Sequence, residues 1–170
     1  MTNATASAPL PPFRRVSDLL RDNARQRPQA SALADDDSAL NWAALDALVD
    51  RVAASLQQAG LHSGDVVAVC AASSVRYAAV YLGALRAGVV VAPLAPSVTP
   101  DAMASMLGDA QARLLFADAQ GRAAVPPAVM EGAGALPLVA LDDTGAGTPW
   151  IEWLAPEGAA PQPVCLLYTS

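Results

Sequence analysis

The chain has 170 residues and a formal net charge of −6, and every basic residue is arginine. Apolar residues make up 54% of the sequence and aromatic residues only 5%. This composition favours a core of Ala, Val and Leu, as in helices packed on a parallel sheet. The acidic balance argues against nucleic acid or an anionic membrane as a partner. The absence of lysine excludes Schiff-base chemistry and a Walker-type phosphate lysine on this chain.

The cysteine content, the N-terminal residues and the longest apolar stretch bear on the cellular location of the protein. Cys70 and Cys165 are too few for a disulfide framework in a chain of this length, so we expect a reducing cytoplasm. Residues 1–12 have neither a basic start nor an apolar core. They predict a disordered leader and not a signal peptide. The longest apolar stretch, residues 78–96, is broken by an arginine, a glycine and a proline, so it does not predict a membrane span.

Two helices and a pair of short strands are predicted first. The first helix has a predicted cap at Ser17 and ends before Pro28. Residues 30–40 predict two short strands about an aspartate turn. The second helix is capped by Asn41 and stopped by Gly60. Its apolar stripe, which follows a Leu40–Leu45 hydrophobic staple, contains Leu45, Leu48, Val49, Val52 and Leu56.

A strand–helix–strand unit follows. Val66–Cys70 is a continuous apolar run, which is typical of a strand buried on both faces. Ser73 or Ser74 opens a third helix that ends at Gly88, and residues 89–94 predict the next buried strand. Such a βαβ unit has a right-handed crossover in nearly all proteins. No Gly-x-Gly-x-x-Gly follows the first strand, which argues against a dinucleotide-binding oxidoreductase.

The last predicted elements become weaker along the chain. Thr99 caps a fourth helix with proline in its first turn, and residues 113–117 predict a third strand. Beyond residue 120 the composition is rich in Ala, Gly and Pro. Residues 136–141 predict a strand, residues 150–154 predict a single helical turn, and residues 155–163 predict a linker.

Three segments, in this order, carry a resemblance to a known family. Residues 40–45 read Leu-Asn-Trp-Ala-Ala-Leu, and residues 60–69 read Gly-Leu-His-Ser-Gly-Asp-Val-Val-Ala-Val. Residues 85–94 read Leu-Arg-Ala-Gly-Val-Val-Val-Ala-Pro-Leu. They are similar to the Leu-Thr-Tyr-x-Glu-Leu, Gly-x-x-x-Gly-Asp-x-Val-Ala and Leu-Lys-Ala-Gly-x-x-x-x-Pro-Leu motifs of the AMP-forming adenylating enzymes. Ala44 stands where the family has Glu, and Arg86 stands where it has Lys.

The resemblance implies a fold and a reaction. It covers residues 13–118 well and extends weakly to residue 154, so residues 13–154 would form the N-terminal part of the family's large α/β domain, a mostly parallel sheet flanked by helices. In the family, a small-molecule carboxylate attacks ATP to give an acyl-adenylate and pyrophosphate, and the acyl group then passes to a thiol, usually coenzyme A. Mg²⁺ and a lysine stabilise the phosphoryl charge.

The same resemblance implies that this chain alone is catalytically inactive. In the family, the phosphate loop, the adenine-binding motif, the magnesium carboxylate and the catalytic lysine lie beyond the matched region. We therefore expect no catalytic residue here and no bound cofactor on the chain by itself. We interpret the chain as a fragment of an acyl-CoA synthetase, of the kind used in fatty acid metabolism. The alternative is a non-catalytic α/β interaction module descended from that family.

The last six residues have two interpretations. Cys-Leu-Leu-Tyr-Thr-Ser is similar to the strand that enters the family's phosphate loop, in which case Thr169 and Ser170 would contact the ATP phosphates. The same six residues are also the translation of a transposase end sequence used to build sequencing libraries. Residues 165–170 would then be an artefact, and the natural sequence would be readable to Val164. The abrupt join to the preceding Pro/Gln-rich segment favours this second interpretation.

Other polar and reactive residues have ordinary structural interpretations. We expect His62 to be a solvated loop residue and Cys70 to fill the core. Residues 35–37 and 142–143 are aspartate runs that predict turns with solvated carboxylates. Trp150 and Trp153 would share one helix face and pack against the domain.

Overall fold

The computed structural model describes residues 14–132 and 134–164, and a parallel sheet of five strands organises this part of the chain. The leader predicted at residues 1–12 lies outside the described residues. The elements in chain order are α1 (Val16–Gln26), β1 (Ser31–Ala34), β2 (Ala39–Asn41), α2 (Trp42–Gln58), β3 (Val66–Cys70), α3 (Val75–Ala87), β4 (Val90–Pro93), α4 (Pro100–Asp109), β5 (Ala112–Ala117), α5 (Ala119–Ala124), α6 (Pro127–Met130), β6 (Leu138–Ala140), β7 (Thr148–Pro149) and α7 (Trp150–Trp153).

The strand order confirms the predicted α/β class. The sheet runs β4-β3-β5-β6-β7, with every neighbouring pair parallel, and β1 and β2 form a separate antiparallel pair. From β3 the chain moves to β4 on one side and then returns to β5 on the other. The strand order therefore reverses between β3 and β5. Within the described residues, no helix is long and apolar enough to cross a membrane.

Alternate residues of β3 face two different cores. Val67 and Val69 belong to the core under α2 and α3, whereas Ala68 and Cys70 belong to the core that includes Met103 of α4. Both faces of the strand are therefore covered by helices. Burial on both faces explains why β3 reads as an unbroken apolar run without alternation.

The second helix forms as its sequence predicts. The Asn41 side chain accepts a hydrogen bond of 2.8 Å from the Ala44 backbone N–H, so the predicted cap is confirmed. Leu40 packs in the same cluster as Leu45, as the staple requires. The helix ends ahead of Gly60, which has φ +77°, a left-handed conformation that glycine adopts without strain.

Two predictions at element ends and edges are wrong. Helix α1 begins at Val16 with Arg15 as its N-cap, and Ser17 lies buried inside the first turn. The carboxylate of Asp18 accepts the Arg15 backbone N–H at 3.2 Å, which ties the N-cap residue to the first turn. Strand β4 is only partly buried: it pairs with β3 alone among the described strands, and Val90 is 50% exposed.

The weakly patterned region beyond residue 120 contains more structure than its composition predicts. Strand β6 and the helical turn α7 are confirmed, but α5, α6 and β7 were not predicted. These three elements have two to six residues each, too few for a hydrophobic period to be visible. The predicted packing of the tryptophans is confirmed: Trp150 is buried, and Trp153 meets the Phe116 ring edge-on at 4.9 Å between centroids.

Candidate functional site

A crevice of about 500 Å³ opens at the carboxyl ends of β3, β5 and β6. It lies at the point where the strand order reverses, which is where ligands bind in open α/β sheets. The β1–β2 turn, the loop after β3, the start of α3 and the ends of β5 and β6 line it. Its polar lining residues include Asp35, Ser74, Arg76, Asp118 and Asp142.

Asp118 joins the ends of the two central strands. One carboxylate oxygen accepts the Ala72 backbone N–H at 2.8 Å, and the other accepts the Gly121 backbone N–H at 2.7 Å. Gly121 has to be glycine, because a Cβ there would lie 1.6 Å from the carbonyl oxygen of Cys70. This close approach brings the start of α5 directly against the end of β3.

Asp35 connects the β1–β2 turn to helix α3. Its carboxylate accepts hydrogen bonds from the Ser38 backbone N–H at 2.7 Å and from the Val75 backbone N–H at 2.7 Å. The bond from Val75 is the main reason that the pKa of Asp35 is lowered. The predicted aspartate turn is therefore confirmed, but Asp35 is not merely solvated. It satisfies one of the free N–H groups at the start of α3.

The pair Asp142 and Asp143 forms ion pairs, so the prediction of solvated carboxylates is wrong here. Asp142 makes two hydrogen bonds with Arg122, at 2.7 and 2.9 Å, and these hold the pKa of that carboxyl well below its usual range. Asp143 binds Arg76 at 2.6 Å and accepts the Ile151 backbone N–H at 2.9 Å. Sequence spacing gives no signal for either pairing, because the arginines lie 20 and 67 residues away.

The arginine of the third motif lies away from the crevice. The Arg86 side chain is only 2% exposed and binds Asp46 at 2.6 Å and Asp50 at 2.8 Å, both on α2. Its Nη1 also donates to the Asp46 carbonyl oxygen at 3.0 Å. Arg86 thus connects α3 to α2, which is a structural role.

Asp35, Asp118, Asp142 and Arg76 of the crevice lining are engaged with backbone groups or in ion pairs. No group of three or more His, Cys, Asp or Glu residues within 14–132 and 134–164 could hold a metal ion. Cys70 is buried in the core, as predicted, and burial raises the pKa of its thiol. His62 is exposed on its loop, as predicted. The predicted phosphate contacts Thr169 and Ser170 lie outside the described residues and stay a prediction.

The fold defines a doubly wound α/β domain, and its crevice lies where domains of this class bind ligands. The family model of the AMP-binding enzymes matches residues 20–170, so the chain belongs to that family. This confirms the resemblance drawn from the three motifs.

Three relatives show the range of the family. The chain is 32% identical over 160 residues to a 3-hydroxybenzoate–CoA ligase from Aromatoleum sp. (strain CIB), covering 84% of this chain and 30% of the ligase. It is 34% identical over 110 residues to malpibaldin synthetase from Mortierella alpina, covering 65% of this chain and 2% of the synthetase. A benzoate CoA ligase from Burkholderia xenovorans LB400 has the same fold, with a TM-score of 0.75, 24% identity, and coverage of 90% and 31%. The chain therefore spans less than a third of the length of each.

Proposed function

We propose that this chain is the N-terminal part of an ATP-dependent carboxylate–CoA ligase. Residues 13–154 would form the first portion of its large domain. The parent enzyme would join a carboxylate to AMP with release of pyrophosphate, then transfer the acyl group to coenzyme A. The observation that carries the proposal is the match to the AMP-binding enzymes over residues 20–170. The match includes residues 165–170, where the sequence resembles the strand that enters the family's phosphate loop.

The crevice supports a scaffolding role for this part of the enzyme. Asp35, Asp118 and the Arg122–Asp142 pair hold the loops that follow the strands, so these charged groups serve the structure of the crevice. The chain also has no lysine to stabilise a phosphoryl group. We therefore propose that the chain is inactive alone and that the catalytic groups come from residues outside it.

The proposal assigns ATP and Mg²⁺ to the parent enzyme. ATP would supply the adenylyl group, and Mg²⁺ would neutralise charge on the ATP phosphates. If residues 165–170 are native, Thr169 and Ser170 would contact the ATP phosphates. The ligase from Aromatoleum, named for an aromatic carboxylate and for coenzyme A, supports a small carboxylate substrate and that thiol acceptor.

Resequencing the source locus without a transposase-based library tests the first step. We expect the reading frame after Val164 to continue through a Ser/Thr/Gly-rich loop that ends in Pro-Lys-Gly. A genuine stop codon near that point would overturn the ligase proposal. It would leave the non-catalytic interaction module as the better explanation.

The protein from the intact gene then tests the reaction. We expect carboxylate-dependent exchange of labelled pyrophosphate into ATP, measured over aliphatic, aromatic and amino acids. Thioester formation with coenzyme A separates a CoA ligase from an enzyme that loads a carrier protein. The 170-residue chain is the matched control, and we expect it to catalyse no exchange and to bind no ATP in titration calorimetry.

A further inference from the structure

A cavity of about 300 Å³, here named the arginine cavity, lies between the start of α1, helix α3 and residues 161–164. Its charged lining residues are Arg15, Arg21, Arg86 and Asp18. It shares no lining residue with the crevice at the carboxyl ends of the strands. Three guanidinium groups around one cavity form a set of donors of the kind that recognises phosphate.

Residues 161–164 form one wall of the arginine cavity and are held in place by hydrogen bonds. Gln57 Oε1 accepts the Gln162 backbone N–H at 2.7 Å, and Gln57 Nε2 donates to the Gln162 carbonyl at 3.0 Å. Arg15 Nη1 donates to the Val164 carbonyl at 3.3 Å. These bonds restrict the position and the orientation of the main chain, so this wall is built into the fold.

Helix α3 contributes a buried donor that lacks an acceptor. The Arg86 side chain is only 2% exposed, and its Nη atoms bind Asp46 and Asp50 of α2. Its Nε–H, however, is buried without a hydrogen-bond partner in the part of the chain that the structure describes. A buried donor without a partner is unfavourable, and more so on a charged group. Because Arg86 lines the cavity, an oxygen of a bound anion would supply the missing acceptor.

The positive charge that attracts an anion comes from α1. Arg15 makes no ion pair with any residue in 14–132 and 134–164, and its Nη1 donates to the neutral carbonyl of Val164. Arg21 Nη2 lies 3.7 Å from Asp50 Oδ1, which is too long for a hydrogen bond, and Asp50 is outside the lining of the cavity. The carboxylate of Asp18, the acidic residue of the lining, accepts the Arg15 backbone N–H at 3.2 Å. Two guanidinium groups are therefore available to an anion, whereas the carboxylate is already engaged.

We propose that the arginine cavity binds a phosphate group, either as the free anion or as the phosphate of a small monoester. The oxygens of a phosphate point in several directions, so they can accept from guanidinium groups on two helices at once, whereas the two oxygens of a carboxylate lie in one plane. The first turn of α1 adds backbone N–H groups and the positive end of the helix dipole. The inference goes beyond the proposed function and does not rest on it, because the crevice is a different place in the fold.

The test compares Arg21→Gln with Arg25→Gln in the protein that the source gene encodes, whether or not its reading frame continues beyond Val164. The two arginines are matched, because each lies on α1 and has one loose ion pair, at 3.7 and 3.6 Å, but Arg25 does not line the cavity. Inorganic phosphate is titrated by calorimetry, with sodium chloride at equal ionic strength as the reference.

We expect Arg21→Gln to weaken phosphate binding about tenfold, because charge-assisted hydrogen bonds are lost. Arg25→Gln should leave the affinity within about twofold of wild type, since exposed charges are screened by solvent and salt. Arg21→Lys keeps the charge and loses the planar fork, so its affinity should lie between those of Arg21→Gln and wild type.

Amide hydrogen exchange locates the bound anion. We expect phosphate to slow exchange in the first turn of α1 in wild type and in Arg25→Gln, but not in Arg21→Gln. Glycerol 3-phosphate distinguishes the two sources of the phosphate group. Its competition with inorganic phosphate would indicate a monoester as the ligand, and a lack of competition would indicate the free anion.

Equal phosphate affinity in Arg21→Gln and Arg25→Gln would overturn the inference, as would the absence of binding at millimolar phosphate. The same holds if sodium chloride reproduces the effect of phosphate. Displacement of phosphate by ATP, together with unchanged binding in Arg21→Gln, would place the anion elsewhere and contradict the inference as well. Failure of ATP-dependent exchange in the same protein would instead overturn the proposed function alone and leave the phosphate site standing.

Discussion

Gly83 of α3 packs directly against Val52 of α2, and a Cβ on the glycine would lie 2.4 Å from Val52 Cγ1. No side chain fits at that position without moving one helix. The contact allows α2 and α3 to cover the same face of the sheet together. It also explains why a glycine is present in the interior of a helix, where it costs about 0.5–1 kcal/mol relative to alanine.

We expect Gly83→Ala to lower the free energy of unfolding by about 1–3 kcal/mol, because the added methyl overpacks a closed interface. Urea denaturation measures the change. Gly108→Ala in α4 is the matched control, since a Cβ there meets nothing within 4 Å. That control should be neutral or stabilising. Equal effects of the two substitutions would contradict the steric explanation.

Arg86→Leu should destabilise the protein by about 3–5 kcal/mol, because it leaves two carboxylates of α2 without their buried partner. Arg86→Lys should recover only part of the loss, since an ammonium cannot reproduce the planar contacts with both Asp46 and Asp50. Thermal and urea unfolding report both variants. The control is Arg25→Leu, which removes a side chain that is 76% exposed and should cost under about 1 kcal/mol.

The Arg122–Asp142 pair makes stability depend on acidity. Because the pKa of Asp142 is lowered in the folded protein, its contribution is complete above the ordinary value of 3.8 and is lost as the pH falls below it. We expect Asp142→Asn to be less stable than wild type at pH 7. The difference should shrink when unfolding is followed from about pH 4 towards pH 2, where wild type loses the same interaction.

Asp36→Asn is the control for that titration, because Asp36 is exposed and makes no ion pair among the described residues. The free energy of unfolding of Asp36→Asn should differ from that of wild type by the same amount at every pH in this range. A constant difference between Asp142→Asn and wild type at every pH would contradict the assignment to the ion pair.

Asp118→Ala should cost about 2–4 kcal/mol, because two backbone N–H groups at the crevice lose their acceptor. Asp118→Asn keeps one acceptor oxygen and should lose roughly half as much. Hydrogen exchange at Ala72 and Gly121 distinguishes the local effect from global unfolding. If Asp118→Ala left both amides as protected as in wild type, Asp118 would not connect the end of β3 to the start of α5 in the way described.

Local rules predicted much of this fold because the relevant signals lie close together in the sequence. Asn41 caps the residues that follow it, Gly60 ends the same helix, and the apolar run of β3 reports burial on both faces. The parallel sheet followed from these elements, whereas the resemblance to the family came from the three short motifs. The crevice was less accessible to sequence analysis, because its ion pairs Arg122–Asp142 and Arg76–Asp143 join residues that lie far apart in the chain. The predicted phosphate contacts Thr169 and Ser170 lie outside the described residues.

The sequence by itself determined the order of the main elements, the α/β class and the family, since these depend on periodicity, caps and short motifs. Only the tertiary structure decided that β4 lies at a sheet edge, that Asp142 pairs with Arg122, and that the Gln57 side chain hydrogen-bonds the main chain of Gln162. The last contact joins residues 105 positions apart. No local pattern encodes such a pair, because its partners meet only after the helices have packed on the sheet.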